Sequence, residues 1–411
     1  MTGGRRIAVV TSSRADYGLL RWTLDALQQD TRAELQLLVT GSHLLDSFGR
    51  TVDMIREDGF EPAAEIPMDI DTTSAFASAK AAGNVLSGTA RALERLSPDL
   101  MLVLGDRFEI LSAVVAASVC RVPVAHLHGG EVSFGSFDEC SRHAISKLSR
   151  LHLTSCEEHK LRVLQMGEPD DSVQVVGAPG LENFARLPLD SRAEFEHRIG
   201  RPLGDPTALL VYHPATAVSD EDPGSTMGAI LEALGPLSNG LILATGGNAD
   251  PGSAAAMERL DAARGQFGDR LHFTESFGQV GFLSAMSHAD FIIGNSSSGL
   301  IEAPSAGTPT INVGMRQSGR MRAPSVIDSA TDVGSIQEAI DRALSRDFIA
   351  LAKKRSNPFA PPSPQRIDGM GQHIANILFE TPDEWLRAPK IFNDRSWQDP
   401  VGATQGAVDN E

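Results

Sequence analysis

Three carboxylates, three histidines and an arginine crowd into Ala125-His126-Leu127-His128-Gly129-Gly130-Glu131 and the nearby Asp138-Glu139-Cys140-Ser141-Arg142-His143. They follow an apolar run, Val122-Pro-Val-Ala, that reads as a buried strand. Burying such groups unpaired costs several kcal/mol. In open α/β sheets, the carboxyl edge of the strands is where ligands bind. Which chemistry uses these groups is left open by the cluster itself. Surface pairing is the competing explanation, because Asp138 with Arg142 and Glu139 with His143 stand four apart, as neighbours on a helix do. It leaves Glu131 and His128, at the strand end, unexplained.

Four more loops follow apolar runs. Thr11-Ser-Ser-Arg14-Ala-Asp16-Tyr17-Gly18 brings hydroxyls, backbone N–H groups and an arginine to a predicted helix start. That composition suits an anion, although Ser13 or Asp16 can also simply cap the helix. Gly105-Asp106-Arg107-Phe108-Glu109 puts a carboxylate one residue past the very apolar Leu100–Leu104. Local burial sets whether such a group acts as a base; a local Asp106–Arg107 or capping arrangement is the simpler alternative. Tyr212-His213-Pro214 closes the first strand of the second half with a histidine suited to acid–base work. Gly294-Asn295-Ser296-Ser297-Ser298-Gly299-Leu-Ile-Glu302 opens a helix with three hydroxyls and two glycines, as a diphosphate held by backbone N–H groups requires. Capping accounts for one serine there, not three. Glu302 is placed to accept hydrogen bonds from a ribose diol, and Arg316 and Arg320 add positive charge.

The elements that must position these loops alternate in a β/α pattern. Strands are predicted at Ile7–Thr11, Leu35–Thr40, Leu100–Leu104, Val122–Leu127, Leu151–Thr154 and Val173–Val176. Helices lie between them at Leu19–Gln28, around Phe48–Glu57, and at Ala75–Leu96, Glu109–Val119 and Asp138–Leu148. A polar, helix-prone Leu189–Ile199 interrupts the series. Strands resume at Ala208–Tyr212, Leu241–Ala244, Leu271–Phe273, Phe291–Gly294 and Thr310–Val313. Two Rossmann-like, doubly wound α/β domains follow: 1–180 with the charged wall, and 190–378 with the serine-rich loop. Pro364–Leu378 reads as a helix. Residues 380–411 form a polar C-terminal extension holding Trp385 and Trp397, its last ten residues a disordered tail.

Composition narrows the class. The 411 residues carry 41% hydrophobic and 22% charged residues, ordinary for a globular protein. No apolar run reaches the ~20 residues of a membrane span, and the stretch after Arg6 is too short for a signal-peptide core. Cys120, Cys140 and Cys156 make neither a disulfide framework nor a metal motif, which fits a reducing cytoplasm. The net charge of −17 argues against nucleic acid as a partner, but a few arginines in one cleft can still hold a phosphorylated small molecule.

Taken together, Ser13-Arg14-Ala-Asp-Tyr17, Gly105-Asp-Arg-Phe-Glu109, His128-Gly-Gly-Glu131 with Asp138…Arg142-His-Ala-Ile-Ser-Lys147, His213-Pro214, Asn295-Ser-Ser-Ser-Gly299…Glu302, and Gly307-Thr-Pro…Asn312-Val-Gly-Met-Arg-Gln317…Gly319-Arg320 resemble the hydrolysing UDP-N-acetylglucosamine 2-epimerases. The resemblance runs in order from about Arg6 to Arg320. It implies two domains of the glycosyltransferase-B type with UDP in an interdomain cleft. It further implies removal of the sugar C2 proton, elimination of UDP to a glycal, and hydration to the free 2-epimer. Carried over by motif, Asp106, Glu131, Asp138, Arg142 and His213 are the catalytic set, with Asp106 and Glu131 in proton transfer. Arg14, Ser297, Ser298, Gly299, Glu302 and Arg316 hold UDP. No metal or cofactor is called for, because arginines and a helix N-terminus can stabilise the leaving diphosphate. The resemblance also implies a dimer or tetramer, and a substrate that is UDP-GlcNAc or a 2,4-diacetamido-trideoxy analogue of the sialic- and legionaminic-acid branch. Val132-Ser-Phe134-Gly-Ser-Phe137 carries aromatics where smaller or more polar residues are expected. Alternatives are a non-hydrolysing 2-epimerase, a UDP-sugar glycosyltransferase, and a silent nucleotide-sugar sensor. A sensor should have lost Asp106, Glu131 or His213, and all three are present.

Overall fold

A computed structural model of the chain describes residues 4–68, 75–132, 138–214, 221–246, 253–362 and 366–394. The expectations placed on Phe134, Phe137, Pro364, Trp397 and the tail lie outside them. The chain divides into two compact units.

The first unit begins with alternating elements: β1 (Arg5–Thr11), α1 (Arg14–Gln29), β2 (Ala33–Thr40), α2 (Val52–Glu57), β3 (Pro62–Ile66), α3 (Ala75–Leu96) and β4 (Leu100–Leu104). It continues with α4 (Phe108–Val119), β5 (Val124–Leu127), α5 (Asp138–Leu148), β6 (Leu151–Thr154), α6 (Glu157–Gln165) and β7 (Val173–Val175). The seven strands are parallel in the order β3-β2-β1-β4-β5-β6-β7. Successive side chains point to opposite faces of a strand, and the core divides accordingly. Ile7 and Val9 pack with Leu20 and Leu24 of α1, whereas Ala8 and Val10 pack with Val85 of α3 and Val114 of α4. Both faces are covered, so the strands read as unbroken apolar runs.

In the second unit, α7 (Glu182–Arg186) and α8 (Arg192–Ile199) lead into β8 (Thr207–Val211), α9 (Pro223–Leu234), β9 (Leu241–Thr245), α10 (Ser253–Phe267), β10 (Leu271–Thr274) and α11 (Gly278–His288). Then come β11 (Phe291–Gly294), α12 (Ser298–Ile301), α13 (Ala303–Ala306), β12 (Thr310–Val313), β13 (Val326–Ser329), α14 (Val333–Ala343) and α15 (Arg346–Ala352). This sheet is also parallel, in the order β10-β9-β8-β11-β12-β13. Leu209, Val211 and Leu243 share one face with Phe195 of α8. Leu210 and Ala244 share the other with Ile230 of α9. Two parallel sheets clad in helices make the two-domain α/β fold of the glycosyltransferase-B class.

The last two helices, α16 (Met370–Glu380) and α17 (Asp383–Arg387), do not extend the second unit. From Pro361 onward the chain groups with the first, although the sequence pattern assigns residues to 378 to the second domain. The reason is the apolar stripe of α16. Ile374, Ala375 and Leu378 are wholly buried in the same cluster as Leu20 and Leu24 of α1. The two helices approach so closely that a Cβ on Gly371 would lie 2.4 Å from the carbonyl oxygen of Trp22. Arg5 then donates to the Leu378 carbonyl and pairs with Asp383.

Ligands in such sheets bind where the strand order reverses, at the carboxyl ends. In the first unit that point lies between β1 and β4, and in the second between β8 and β11. The loops at these two points are Ser12–Asp16 with Gly105–Arg107, and His213 with Asn295–Ser298.

Truncating Ile374 to alanine is expected to destabilise the first unit by about 2–5 kcal/mol. Denaturant unfolding followed by tryptophan fluorescence checks this, since Trp22 and Trp385 both belong to that unit. An unchanged midpoint would show that α16 adds nothing to it.

Candidate active site

In the first unit, Gly105 turns the chain out of β4 with a φ of +83° and sets Asp106 at the strand's carboxyl end. One strand over, the chain leaves β5 through His128 and Gly130, with φ of +64° and +77°. The glycine is required, because a Cβ there would lie 2.2 Å from the His159 carbonyl oxygen. This tight turn delivers Glu131 back beside Asp106. Arg142, on the second turn of α5 and 2% exposed, pairs through Nη2 with Asp106 Oδ2 and through Nη1 with Glu131 Oε2 at 3.2 Å. One guanidinium thus holds two carboxylates that lie 36 and 11 residues away in sequence.

Glu131 is 6% exposed and engaged on both oxygens. Its Oε1 meets His128 Nδ1 at 2.5 Å and accepts from Ser155 Oγ at 2.9 Å. Ser155 Oγ is in turn 2.8 Å from His159 Nδ1. Ser155 and His159 are absent from the sequence reading. They come from the turn after β6 and from α6, and no local motif marks them.

Not every chemical-looking group here does chemistry. His126 is wholly buried between Ser146 Oγ at 3.1 Å and the Gly105 carbonyl at 2.8 Å. Burial holds its ring neutral, with a pKa pushed down to about 3. His143 pairs with Glu139 at 3.2 Å, the helix-surface contact expected of that spacing. Arg107 does not cap with Asp106 but pairs with the fully buried Glu109.

The loop after β1 behaves largely as a helix cap. Ser13 accepts from the Asp16 N–H, and Asp16 Oδ2 accepts from the Ser12 N–H at 2.7 Å and from Ser12 Oγ at 3.0 Å. Burial raises the Asp16 carboxyl to about 6 against those hydrogen bonds and the charge of Arg107. Arg14 is exposed on the first turn of α1, with no hydrogen-bond or ion-pair partner among the described residues. Asp138 stands on the first turn of α5, where its charge helps to keep Arg107 protonated.

The second unit uses an amide where the first uses a guanidinium. Buried Asn295, just past β11, accepts from the His213 N–H at 2.8 Å and donates to the His213 carbonyl at 2.7 Å. Its own carbonyl accepts from Arg316 at 3.1 Å and from Gln317 at 2.7 Å. His213, the serine run and Arg316 are therefore brought together by one side chain and one peptide group. The sequence reading quoted Asn295 and Gln317 only as parts of motifs. The serine run departs from expectation in one respect. It opens α12, which lasts four residues and stops at Glu302, ahead of Pro304 in α13. Glu302 is the junction of two short turns, and a single turn has little dipole to offer. What remains for an anion is local: the N–H groups of Ser296 and Ser297 have no acceptor among the described residues. Ser297, Ser298 and Glu302 are half-buried, and Gly299 is packed on Thr310 of β12.

Among the described residues no cluster of three or more His, Cys, Asp or Glu is arranged to hold a metal ion. No described helix is long and apolar enough to cross a membrane.

Residues 25–367 match the family described as UDP-N-acetylglucosamine 2-epimerase. The chain is 37% identical to the UDP-N,N'-diacetylbacillosamine 2-epimerase (hydrolysing) of Legionella pneumophila, covering 84% of this chain and 90% of that one. It is 35% identical to the polysialic acid biosynthesis protein P7 of Escherichia coli, over 86% and 90% of the two chains. In fold it is similar to the crystal structure of UDP-GlcNAc 2-epimerase from Neisseria meningitidis bound to UDP-GlcNAc. That match has a TM-score of 0.78 at 18% identity and covers 92% of this chain and 100% of the other.

Removing the guanidinium leaves two carboxylates uncompensated, so Arg142→Ala is expected to cost about 3–5 kcal/mol of first-unit stability; a denaturation midpoint like the parent's would overturn the bridging role. Acid should also weaken this unit. Burial holds His43, His126 and His159 down at about 4, 3 and 4. Each lies below its unfolded value, so its contribution is complete above pH ~6.5 and is lost as the unfolded chain takes up protons below it. By pH 5 each withdraws on the order of 2 kcal/mol, and Asp16, shifted upward, returns about 1 kcal/mol. Urea midpoints at pH 7.5 and 5 check the sign; greater stability at pH 5 would contradict it.

Proposed function

The chain belongs to the UDP-N-acetylglucosamine 2-epimerase family, and we propose that it is a hydrolysing 2-epimerase of a UDP-2-acetamido sugar. The observation that carries the reading is the Asp106–Arg142–Glu131 bridge, its guanidinium buried, at the carboxyl ends of two adjacent strands. A reaction that strips a proton from a carbon and returns one from the other face needs acid–base groups held at fixed separation. A shared guanidinium provides that spacing.

In this reading the first unit handles the sugar. Asp106 and Glu131 belong to the proton-transfer apparatus, Arg142 sets their geometry, and Asp138 borders the site from the start of α5. Arg14 adds positive charge for the diphosphate. The second unit handles the nucleotide: Ser297 offers its backbone N–H and Ser298 its hydroxyl, on a loop that Gly299 packs closely against β12, Arg316 offers charge, and Glu302 accepts from the ribose. His213, whose backbone Asn295 pins, contacts the sugar or the diphosphate. The C2–H electron pair forms a C1=C2 bond as the C1–O bond breaks toward UDP. Water then gives its hydroxyl to C1 while a proton joins C2, yielding the free epimer. The name of the Legionella relative favours a 2,4-diacetamido sugar and the family description favours UDP-GlcNAc. In this reading the free 2-epimeric sugar feeds nonulosonic-acid synthesis of the sialic or legionaminic type, in the cytoplasm.

Incubation with UDP-GlcNAc and, in parallel, its 2,4-diacetamido-trideoxy analogue is expected to release UDP and a free 2-epimeric sugar from at least one. Formation of a UDP-linked epimer without UDP release would instead assign the non-hydrolysing reaction. Glu131→Gln should lower turnover by roughly 10²–10⁴-fold while UDP affinity, read by calorimetry, stays within about threefold. Unchanged turnover would remove Glu131 from the apparatus.

A further inference from the structure

His128 has no task in the reaction as drawn, yet its surroundings are built as if it had one. An ionised carboxylate has no proton to give. The 2.5 Å contact between Glu131 Oε1 and His128 Nδ1 therefore requires the hydrogen to sit on Nδ1. Ser155 donates its one hydroxyl hydrogen to the same oxygen, so in its own contact with His159 the imidazole Nδ1 is the donor. With Arg142 on the other oxygen, Glu131 is committed as an acceptor on both. A carboxylate so occupied orients its neighbours better than it takes a proton.

The lone pair of a His128 ring in that tautomer lies on Nε2. This atom is buried and has no hydrogen-bond partner among the described residues. Native structures seldom leave a buried polar atom unmatched, and such atoms call for an explanation. The backbone is unusual as well, since φ at His128 is +64°, in the left-handed region that suits glycine. Strained backbone and an unmatched acceptor coincide on one residue, beside the bridge that carries the proposed reaction.

We infer that His128 Nε2 is the group that takes the proton from sugar C2, with Glu131 its positioning residue. The inference rests on the function proposed above and deepens it. The C2–H bond breaks, its electron pair becomes the C1=C2 bond, the C1–O pair leaves with UDP, and the proton stays on Nε2. The resulting imidazolium is stabilised by Glu131 across Nδ1. It returns to the neutral ring by passing that proton to the released diphosphate or to solvent. This is the arrangement of an imidazole base held and tuned by a buried carboxylate.

Two variants test it. His128→Asn keeps a residue that tolerates positive φ but removes the base. His128→Gly relieves the strain and leaves room for free imidazole. Both are followed in D2O by proton magnetic resonance, reading entry of deuterium at C2 from the UDP-2-acetamido sugar that the parent turns over. Both should lose 10²–10⁴-fold in C2 exchange with UDP affinity kept. Added imidazole should restore at least tenfold in the glycine variant and nothing in the asparagine variant. Exchange within about threefold of the parent in His128→Asn overturns the assignment. So does a loss in a well-folded glycine variant that imidazole does not repair, which would make the residue structural. Parent protein that exchanges no C2 proton and frees no UDP would refute the reaction itself.

Discussion

The first unit's site depends on one ionic arrangement, a buried guanidinium shared by two carboxylates. Two like charges brought together away from water repel and lose hydration. Arg142, paired with both Asp106 and Glu131, offsets that repulsion. The arrangement also ties α5 to the ends of β4 and β5, which are themselves laddered as far as Leu104 and Leu127. Position and charge are supplied by the same group, so the geometry of the pair and its electrostatic balance cannot be adjusted separately.

The second unit solves the equivalent problem with a neutral hub. Asn295 uses both faces of its amide on the His213 backbone and its peptide carbonyl on Arg316 and Gln317. A neutral hub fits a place that the proposed function assigns to an anion, because a carboxylate there would repel phosphate. The contrast follows the chemistry each unit is assigned: fixed charge where protons move, neutral scaffolding where a charged ligand is held.

Much of this was legible from residue patterns, for identifiable reasons. Leu100–Leu104, Leu151–Thr154, Phe291–Gly294 and Thr310–Val313 stand as strands at the bounds predicted for them, because apolar runs between polar loops have few other uses. The strands that escaped are edges. Pro62–Ile66 opens with proline and has one β-branched residue, and Val326–Ser329 is only partly buried. Site residues showed through when they followed a readable strand. Ser155 and His159 did not, since only the packing of α6 against the β5 turn makes them partners of Glu131. His126 misled in the other direction: its type suggests chemistry, and its burial removes it. The return of α16 to the first unit was illegible because a helix's apolar stripe does not name the surface it will cover.

That return shapes how the molecule is made. Arg5 bonds to the carbonyl of Leu378, 373 residues along the chain, and α1 is covered by α16, so the first unit cannot finish its core until α16 has been made and has docked. The intervening residues 183–360 are continuous and hold their own core, so they can complete folding as they emerge. Completion of the first unit thus waits for residues on the far side of the second, with the α1 face of its sheet uncovered until they arrive, and long-range closure is the slow step in such topologies. A chain that stops short of α16 therefore leaves the apolar face of α1 without its cover, however complete the rest of the first sheet is.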